Sequence, residues 1–406
     1  MIKTDVLIVG GGPAGLSAAN AAALQGVSVL VLEKTREIGY PVHTSGGSWI
    51  REMKKLGVPE KYMNPISRVD FMINDDKATF EFDEPVACVL DVRGLYQHLA
   101  EEAALQGATI RINANVMEPI LERDRIVGVK AIRNGVEEII RAKMVIDASG
   151  FHSTITRKLG YMDEITSYGY GAEYEIITGT WKQDHVALLF GSHFAPNGYG
   201  WIFPCGEHRV RIGTGIIFPE TKQDPVALLD RFMESNDDIA RILRPYSLIE
   251  VHLGSVPNSG VIRQTYADHF LTVGDSAGHV SGIAGEGIRY AMDIGRMAGK
   301  VAAQAVLSNH TTAPYLKRYE QMWKKKYLKN FRISHLINQR IRQFTDEEWN
   351  ERIKLLKKVD REIVISLMKG NYDVNLVALT LRKNPDLLLR QSFKIIRKIM
   401  GAEAKS

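Results

Sequence analysis

The sequence predicts an α/β (α+β) fold with a discontinuous parallel-sheet domain, an inserted antiparallel sheet and a helical carboxy-terminal region. Three observations predict it. Strand and helix patterns alternate near the start of the chain and again around residues 270–307, whereas residues 165–251 are mostly strand-like. From Pro314 onwards the pattern is helical and basic. We therefore expect one domain formed by residues 1–160 and 262–310, a β-rich domain of residues 161–261, and a basic helical region of residues 311–406.

The amino-terminal unit, Asp5 to Glu33, contains the clearest pattern. An apolar run of strand length ends at three glycines, and an Ala-rich helical stretch follows from Pro13 to Gln25. Gly26 is a typical helix stop, and a β-branched strand then ends at Glu33. This order of strand, turn, helix and strand is typical of a Rossmann-like unit.

The glycines of this unit form G-x-G-x-x-G at Gly10, Gly12 and Gly15. Gly10 permits a tight turn, Gly12 lets the backbone approach a pyrophosphate, and Gly15 lets the helix pack on the strand. The helix N-terminus offers unpaired N–H groups to the phosphates. Glu33 follows at about the 20-residue offset expected of a ribose-binding carboxylate. The pattern predicts a dinucleotide site but does not distinguish FAD from NAD(P).

Composition is that of an ordinary globular protein. The protein has 406 residues, 45% hydrophobic and 24% charged, with a net charge of +5. Its two cysteines, Cys88 and Cys205, exclude a disulfide framework and a Cys-rich metal site, so we expect no metal. The first strand begins within a few residues, which leaves no room for a signal peptide. No apolar run approaches the ~18 residues needed to span a bilayer. We therefore expect a cytoplasmic protein.

Further elements follow from periodicity. Asn134-Gly135 between two alternating runs predicts a hairpin. We expect strands at Thr109–Met117, Arg125–Arg133 and Val136–Val145, two strands within Ile66–Phe82, and helices at Trp49–Leu56, Leu95–Gln106, Pro225–Ser235 and Glu286–Leu307.

A second informative stretch runs from Phe270 to Ile288. A buried strand delivers Asp275 to a glycine-rich turn, where its carboxylate is well placed to bind polyol hydroxyls. The helix that begins near Glu286 would direct its N–H groups at the same place. The alternative is that Asp275 is an ordinary turn residue before a helix.

With both stretches in view, the sequence resembles FAD enzymes of the p-hydroxybenzoate-hydroxylase-like fold. Arg93 is similar to their arginine on the helix after the second β unit, and Gly274-Asp275 is similar to their G-D motif beside the flavin ribitol. Asp147-Ala148-Ser149-Gly150, with Ser153 and Arg157, is similar to the D-G-x-x-S-x-x-R element that these enzymes carry near the middle of their sequences.

A narrower resemblance lies at Tyr199-Gly200-Trp201-Ile202-Phe203-Pro204. The pattern Y-x-W-x-F-P is similar to the substrate-cavity motif of the geranylgeranyl reductase family, FAD-dependent enzymes that saturate the isoprenoid chains of archaeal ether lipids. The resemblance implies a lipid channel lined by Tyr199, Trp201 and Phe203. It implies FAD contacts from Gly10, Gly12, Ala14, Gly15, Glu33, Thr44, Ser45, Gly47, Arg93, Val116, Asp275, Gly287 and Ile288.

The sequence differs from this family at three positions. The loop after Pro41-Val42 lacks the Cys common in relatives and continues as His43-Thr44-Ser45, while Gly282 and Glu286 replace a frequent Pro and a frequent Gly. The proton donor is unknown. Weak candidates are Tyr199, Glu286, His43 and His279. We expect Glu286 to be a solvent-facing acid in the first turn of its helix, with a place near the flavin as the alternative. We expect the two histidines to be loop or surface residues.

Partners follow from the implied chemistry. No second strand-G-x-G-x-x-G-helix unit occurs, so NAD(P)H would bind transiently or a ferredoxin-like protein would supply electrons. The basic carboxy-terminal region suggests peripheral contact with the inner face of an anionic cell membrane, with a solvated helix face as the alternative. Its basic residues are Lys324, Lys325, Lys326, Lys329, Arg332, Arg390, Lys394, Arg397 and Lys398. No nucleic-acid-binding module is recognisable, so we expect no nucleic acid partner.

Two other functions stay open. A flavin monooxygenase of the same fold would act on an aromatic or quinone substrate, although Y-x-W-x-F-P and the helical tail argue against it. A non-catalytic flavin- or lipid-binding protein would hold lipid without turnover under any reductant.

Overall fold

A computed structural model describes residues 2–372, except residues 75, 163, 164 and 166. An eight-stranded sheet forms its first layer. The strands are β1 (Ile2–Val9), β2 (Val29–Leu32), β8 (Thr109–Arg111), β9 (Ala114–Glu122), β10 (Arg125–Arg133), β11 (Val136–Asp147), β17 (Tyr266–Ala267) and β18 (Phe270–Thr272). The order is β17-β18-β11-β1-β2-β8, parallel from β18 to β8. The antiparallel meander β9-β10 extends from β11.

Helices cover this sheet. They are α1 (Pro13–Ala23), α3 (Val92–Leu105), α4 (Thr154–Lys158) and α7 (Ile288–Leu307). Asp91 caps α3 by accepting a hydrogen bond from the Gly94 N–H at 3.0 Å. Helices α1 and α7 cross at glycines: a Cβ atom on Gly295 would lie 2.4 Å from the Ala14 carbonyl oxygen, and one on Gly299 would lie 2.0 Å from that of Ala18. The two helix backbones therefore touch.

A seven-stranded sheet forms the other main layer. The strands are β5 (Arg68–Ile73), β6 (Asp76–Glu81), β12 (Tyr168–Ile177), β13 (His185–Phe190), β14 (Tyr199–Gly206), β15 (Arg209–Phe218) and β16 (Ser247–Pro257). The order is β16-β12-β15-β14-β13-β5-β6, antiparallel except for β13 with β5. Helix α5 (Pro225–Glu234) packs on β12 and β15, and α6 (Asp238–Leu243) packs against α5.

Smaller elements close the gap between the two sheets. A three-stranded sheet contains β3 (Gly47–Trp49), β7 (Ala87–Leu90) and β4 (Met63–Ile66), with α2 (Ile50–Lys55) directly after β3. The helices that follow are α8 (Ala313–Ile341), α9 (Asp346–Leu356) and α10 (Arg361–Met368). Helix α8 packs on α7, and α9 packs on β5 and β6.

Within the described residues, the polypeptide enters or leaves the seven-stranded sheet four times. The passages are β4 to β5, β6 to β7, α4 to β12, and β16 to β17. Strands β5 and β6 belong by sequence to the first predicted region, yet they pair with the strands of the second. The three-region division itself stays a prediction.

The predicted fold class is confirmed, and so are most elements. Strand Arg125–Arg133 has the predicted bounds, and Asn134 and Gly135 form the hairpin turn, both with positive φ. The predicted strand Thr109–Met117 is wrong as one element, because Asn113 takes φ +54° and divides it into β8 and β9. Helix α7 begins at Ile288 instead of Glu286. Within the described residues no helix combines the length and apolarity needed to cross a membrane.

Candidate functional site

The glycine-rich turn between β1 and α1 is built by close backbone contacts. Gly10 has φ +107°, and a Cβ atom there would lie 2.3 Å from the Ala148 carbonyl oxygen at the end of β11. A Cβ on Gly15 would lie 2.0 Å from the Gly10 oxygen, whereas one on Gly12 would meet nothing within 4 Å. Gly10 and Gly15 therefore hold the turn together, and Gly12 faces open space. A pyrophosphate fits this cradle at the helix N-terminus.

Glu33 closes the turn from the end of β2. Its carboxylate accepts hydrogen bonds from the Gly11 N–H at 2.6 Å and from the N–H and hydroxyl of Thr35 at 2.8 and 2.9 Å. Its carbonyl oxygen accepts a bond from the Ala114 N–H, which brings the start of β9 and nearby Val116 to the same edge of the sheet. Three bonds leave a carboxylate about one further acceptor position, so a ribose hydroxyl fits here.

Asp147 shapes the neighbouring turn. It is fully buried and accepts hydrogen bonds from Ser149, Ile155 and Thr156 at 2.6–3.0 Å. These bonds fold the backbone after β11 into the tight turn that Gly10 contacts. The D-A-S-G element therefore has a structural role beside the cradle.

Asp275 lies in a helical turn directly after β18. A Cβ on Gly287, one residue before α7, would lie 3.5 Å from the Asp275 carboxylate. Burial raises the pKa of Asp275 to about 6. Its carboxylate accepts no hydrogen bond from another side chain in the described part of the molecule. A partly buried acid without a side-chain partner is well suited to ribityl hydroxyls, which would supply hydrogen-bond donors. The neighbouring Ile288 opens α7, so its helix N-terminus faces the same place.

The loop between β2 and β3 joins this region to the seven-stranded sheet. Arg211, which is buried on β15, donates from Nη1 to the carbonyl oxygens of Ser45 at 3.0 Å and Leu90 at 3.1 Å. Thr44 precedes Ser45, and Gly47 opens β3 against the ring of Phe203, which a Cβ on Gly47 would approach to 2.8 Å. Predicted flavin-side and substrate-side residues are therefore neighbours.

Arg93, in the first turn of α3, adjoins the earlier part of the same loop. Its Nε donates to Glu37 at 2.7 Å, and Gln97 donates to the same carboxylate oxygen at 2.9 Å. A Cβ on Gly39 would lie 3.1 Å from the Arg93 Cα. The Arg93 side chain is about half exposed, so a ligand can approach it from the solvent side.

Tyr199, Trp201 and Phe203 alternate along β14 and share one face. The Tyr199 hydroxyl donates to the Ala284 carbonyl oxygen at 2.7 Å, and burial raises its pKa to about 12, so this hydroxyl is a poor acid. Trp201 lies over glycines of the adjacent strands: a Cβ on Gly213 would lie 2.4 Å from the indole ring, and one on Gly171 would lie 3.3 Å away.

These rings border an apolar cluster, which we call the channel cluster. It lies between the seven-stranded sheet, β3 and helices α9 and α10. Its aromatic members outside β14 are Trp49, Phe71, Phe80, Phe82, Phe190 and Trp349. A cluster rich in rigid aromatic rings is typical of the wall of a site for an apolar ligand.

Sequence reasoning missed a series of charged residues behind Trp201. The indole N–H donates to Glu173 at 2.5 Å, and the other oxygen of Glu173 lies 2.8 Å from His252 Nδ1. His252 Nε2 lies 3.0 Å from Glu250. The sequence does contain a pattern that could have indicated this series: charged residues occupy alternate positions in otherwise apolar strands. Examples are Glu173 and Glu175 on β12, and Arg209 and Arg211 on β15.

The expectation that Glu286 faces solvent was wrong. It is 7% exposed, and its carboxylate accepts hydrogen bonds from Ser48 at 3.0 Å, Trp49 at 3.2 Å and Arg289 at 2.8 Å. Because α7 begins two residues later, Glu286 lies in the preceding turn and points at β3. It thereby ties β3 to the start of α7, beside Gly287.

The two histidine candidates differ. His43 is exposed, as expected, with Nδ1 2.8 Å from the Leu253 carbonyl oxygen. His279 also lies in a loop, as expected, but it is not at the surface: it is fully buried between Trp323 and Phe331, and neither ring nitrogen has a hydrogen-bond partner among the described residues. Burial lowers the pKa of His279 to about 3. An imidazole in that environment is neutral and far from an efficient proton donor at neutral pH.

Comparison with known proteins gives two family matches. Residues 5–151 match the FAD dependent oxidoreductase family, and residues 168–256 match the geranylgeranyl reductase catalytic domain. The first match contains the glycine-rich turn, Glu33 and Arg93. The second contains Tyr199, Trp201 and Phe203.

Relatives that match over most of their length support the same family. The sequence is 33% identical over 395 residues to digeranylgeranylglycerophospholipid reductase 2 of Methanopyrus kandleri, covering 95% of this chain and 98% of that one. It is 34% identical over 380 residues to the protein of that name from Methanothermobacter thermautotrophicus, covering 91% and 96%.

Among solved structures, a geranylgeranyl bacteriochlorophyll reductase-like protein of Thermoplasma acidophilum superposes with a TM-score of 0.85. It covers 99% of both chains at 24% identity. The flavin-dependent brominase Bmp2 superposes with a TM-score of 0.71 at 19% identity, covering 96% of this chain and all of that one. At these identities the likeness shows a shared fold.

Proposed function

This chain belongs to the geranylgeranyl reductase family of FAD-dependent oxidoreductases, and on that premise we propose that it saturates C=C bonds in the geranylgeranyl chains of a digeranylgeranylglycerophospholipid. One observation carries the proposal: the aromatic face of β14 meets the flavin-side loop directly, with Phe203 packed on Gly47. An apolar lipid tail in the channel cluster would therefore end beside the cofactor.

For the cofactor, we propose that the pyrophosphate of FAD lies at Gly12 and the N-terminus of α1, the adenosine ribose at Glu33, and the ribityl group at Asp275. The remaining contacts of this proposal are Gly10, Ala14, Gly15, Thr44, Ser45, Gly47, Arg93, Val116, Gly287 and Ile288. Support comes from the open space at Gly12, the free acceptor position of Glu33, and the carboxyl of Asp275, which is partly buried and has no side-chain partner among the described residues.

FAD bound in this site and reduced would supply a hydride for one alkene carbon, and the other carbon must receive a proton. An isolated trisubstituted alkene is not polarised, so the residues around it must exclude water and hold it within roughly 3–3.5 Å of the hydride donor. Tyr199 and Trp201 are fixed by hydrogen bonds to Ala284 and Glu173 and so form a rigid wall. The Tyr199 hydroxyl is bonded to Ala284 and so positions the aromatic wall. The Glu286 oxygens accept bonds from Ser48 and Trp49 and so position β3.

The electron donor and the membrane are proposed partners. A single G-x-G-x-x-G unit in the sequence favours transient NAD(P)H binding or a ferredoxin-like protein. Peripheral membrane contact through α8 has partial support: Lys325 and Arg332 are exposed, whereas Lys324 and Lys326 pair with Glu320 and Asp293 at 2.6 Å. Lys329 is also exposed on α8, whereas Arg390, Lys394, Arg397 and Lys398 lie outside the described residues.

The test is turnover of the proposed substrate. The purified protein is expected to show a flavin spectrum, and dithionite-reduced protein is expected to add two hydrogens per bond to digeranylgeranylglyceryl phosphate, measured anaerobically by mass spectrometry. A flavoprotein that leaves the lipid mass unchanged, but consumes oxygen with an aromatic substrate and NAD(P)H, would instead be a monooxygenase. Bound lipid without turnover under any reductant would indicate a carrier.

A further inference from the structure

A basic pocket opens at the edge of the channel cluster. Its volume is about 560 Å³. One wall is helix α2, another is the segment before β7, and the third is the end of α10. The lining residues are Ile50, Arg51, Lys54, Lys55, Pro85, Val86 and Lys369. Four of these seven side chains carry a positive charge, and none carries a negative charge.

The charges in the pocket are not fully neutralised by the fold. Arg51, Lys54 and Lys55 have the spacing i, i+3 and i+4, so they share one face of α2. Lys54 pairs with Glu60 at 2.5 Å, and Lys369 lies 3.8 Å from Glu52. Arg51 and Lys55 are exposed, and neither has an ion pair with a described residue. Two positive charges therefore remain for a ligand.

The pocket adjoins the channel cluster. Val86 lines the pocket and also packs against the channel cluster. Met368, which precedes the pocket residue Lys369, packs against the same cluster. The Lys369 ammonium lies 5.2 Å from the centre of the Trp49 ring, which belongs to the cluster. A molecule with a long apolar part and an anionic end could therefore occupy both at once.

The pocket is also tied to the cofactor side of the molecule. Arg289, in the first turn of α7, donates to the Lys369 carbonyl oxygen at 2.6 Å and to Glu286 at 2.8 Å. Trp49 donates to the same Glu286 carboxylate at 3.2 Å. The pocket walls are thereby anchored to the start of α7, which fixes the pocket relative to the proposed flavin position.

We propose that this pocket binds the anionic phosphate head group of the lipid substrate, with Arg51 and Lys55 as its principal ligands. The inference rests on the proposed function and adds the head-group subsite to it. An arginine and an ammonium together suit a phosphate, since the guanidinium binds two oxygens and the ammonium adds a point charge. The apolar tails then run from Val86 and Trp49 into the channel cluster.

The experiment compares a phosphorylated and a neutral lipid. Full-length FAD-loaded protein is titrated with digeranylgeranylglyceryl phosphate or with digeranylgeranylglycerol in the same detergent, and tryptophan fluorescence reports binding beside Trp49. For the double variant Arg51→Glu, Lys55→Glu, we expect the Kd of the phosphorylated lipid to rise by about tenfold or more, because a charge-assisted bond is lost and repulsion is added. The Kd of the neutral lipid should stay within about twofold of the wild-type value.

Two further variants control for charge and folding. Lys3→Glu with Lys77→Glu makes the same change in net charge at exposed positions outside the pocket, and should leave both Kd values unchanged. Arg51→Gln with Lys55→Gln removes the charges without reversing them, and should raise the Kd of the phosphorylated lipid by a smaller factor. An equal rise for both lipids in the pocket variants, or no rise for either, would overturn the proposal.

Competitors identify the source of the phosphate. Glycerol 1-phosphate should displace the phosphorylated lipid at lower concentration than inorganic phosphate does; tighter binding of inorganic phosphate would overturn the head-group assignment. Loss of binding to anionic vesicles with unchanged Kd values in detergent would instead indicate a membrane-docking surface. Binding needs no turnover, so a protein that binds the phosphorylated lipid through Arg51 and Lys55 but never reduces it would support the site and contradict the proposed reduction.

Discussion

Trp201 illustrates how one residue of the site depends on charges behind it. Its ring rests on Gly171 and Gly213, and its N–H bonds to Glu173, which in turn pairs with His252. Burial disfavours the charged imidazole, but the hydrogen bond and charge of Glu173, together with the bond to Glu250, outweigh that effect and the repulsion of Arg211, and they raise the pKa of His252. The neighbouring carboxylates therefore favour the charged form of His252, and this form would help to hold Glu173 and Trp201 in place.

His252→Gln should show this in the pH dependence of stability. A histidine whose pKa is raised on folding stabilises the fold fully below its unfolded pKa, near 6.5, and loses that contribution as the pH rises through the folded value. Because the entropy of unfolding grows with length, in a protein of 406 residues the melting temperature of the variant should fall below that of the wild type by roughly 1 °C for each kcal/mol lost at pH 5.5. The difference in melting temperature between the wild type and the variant should become smaller at pH 9. A difference of equal size at pH 5.5 and pH 9 would contradict a charged His252.

The sequence predicted an element well where a few neighbouring residues determine its conformation. The β1–α1–β2 unit follows from three glycines and two apolar runs, and the Asn134-Gly135 turn follows from residues that tolerate positive φ. The pairing of β5 with β13 was not predictable, because strand periodicity states which face is buried and not which strand lies alongside. The burial of Glu286 depends on Ser48, which is 238 positions away in sequence.

The crossing of α1 and α7 is the element contact most sensitive to one methyl group. Gly295→Ala and Gly299→Ala should each destabilise the protein by roughly 1–3 kcal/mol, since the added Cβ would meet a carbonyl oxygen at 2.4 or 2.0 Å. This exceeds the ~1 kcal/mol that alanine gains over glycine in a helix. Urea unfolding measures the loss.

The control for these variants is Gly179→Ala, where the new methyl group meets nothing within 4 Å. It should leave the free energy of unfolding within about 0.5 kcal/mol of the wild type. Because α1 also begins at the proposed phosphate cradle, the crossing variants should bind FAD more weakly. Unchanged stability in both would show that the two helices can separate at little cost.

The molecule as a whole should associate with anionic membranes if α8 acts as proposed. Full-length protein should float with vesicles that contain anionic lipid at about 50 mM salt and separate from them near 1 M, where the Debye length falls to about 3 Å. Lys325→Glu with Arg332→Glu should reduce the floating fraction, and Lys3→Glu with Lys77→Glu should not. Protein that stays at the bottom at low salt would argue against membrane contact.

The four described connections into and out of the seven-stranded sheet limit how the lipid can enter. Two bodies joined by one linker can swing apart about a hinge, but four separate connections cannot all lengthen in one rotation. We therefore expect the gap between the sheets to stay shut during turnover. A prenyl tail must then thread in end-on and leave by the same route, so exchange of substrate for product should slow as the tail lengthens.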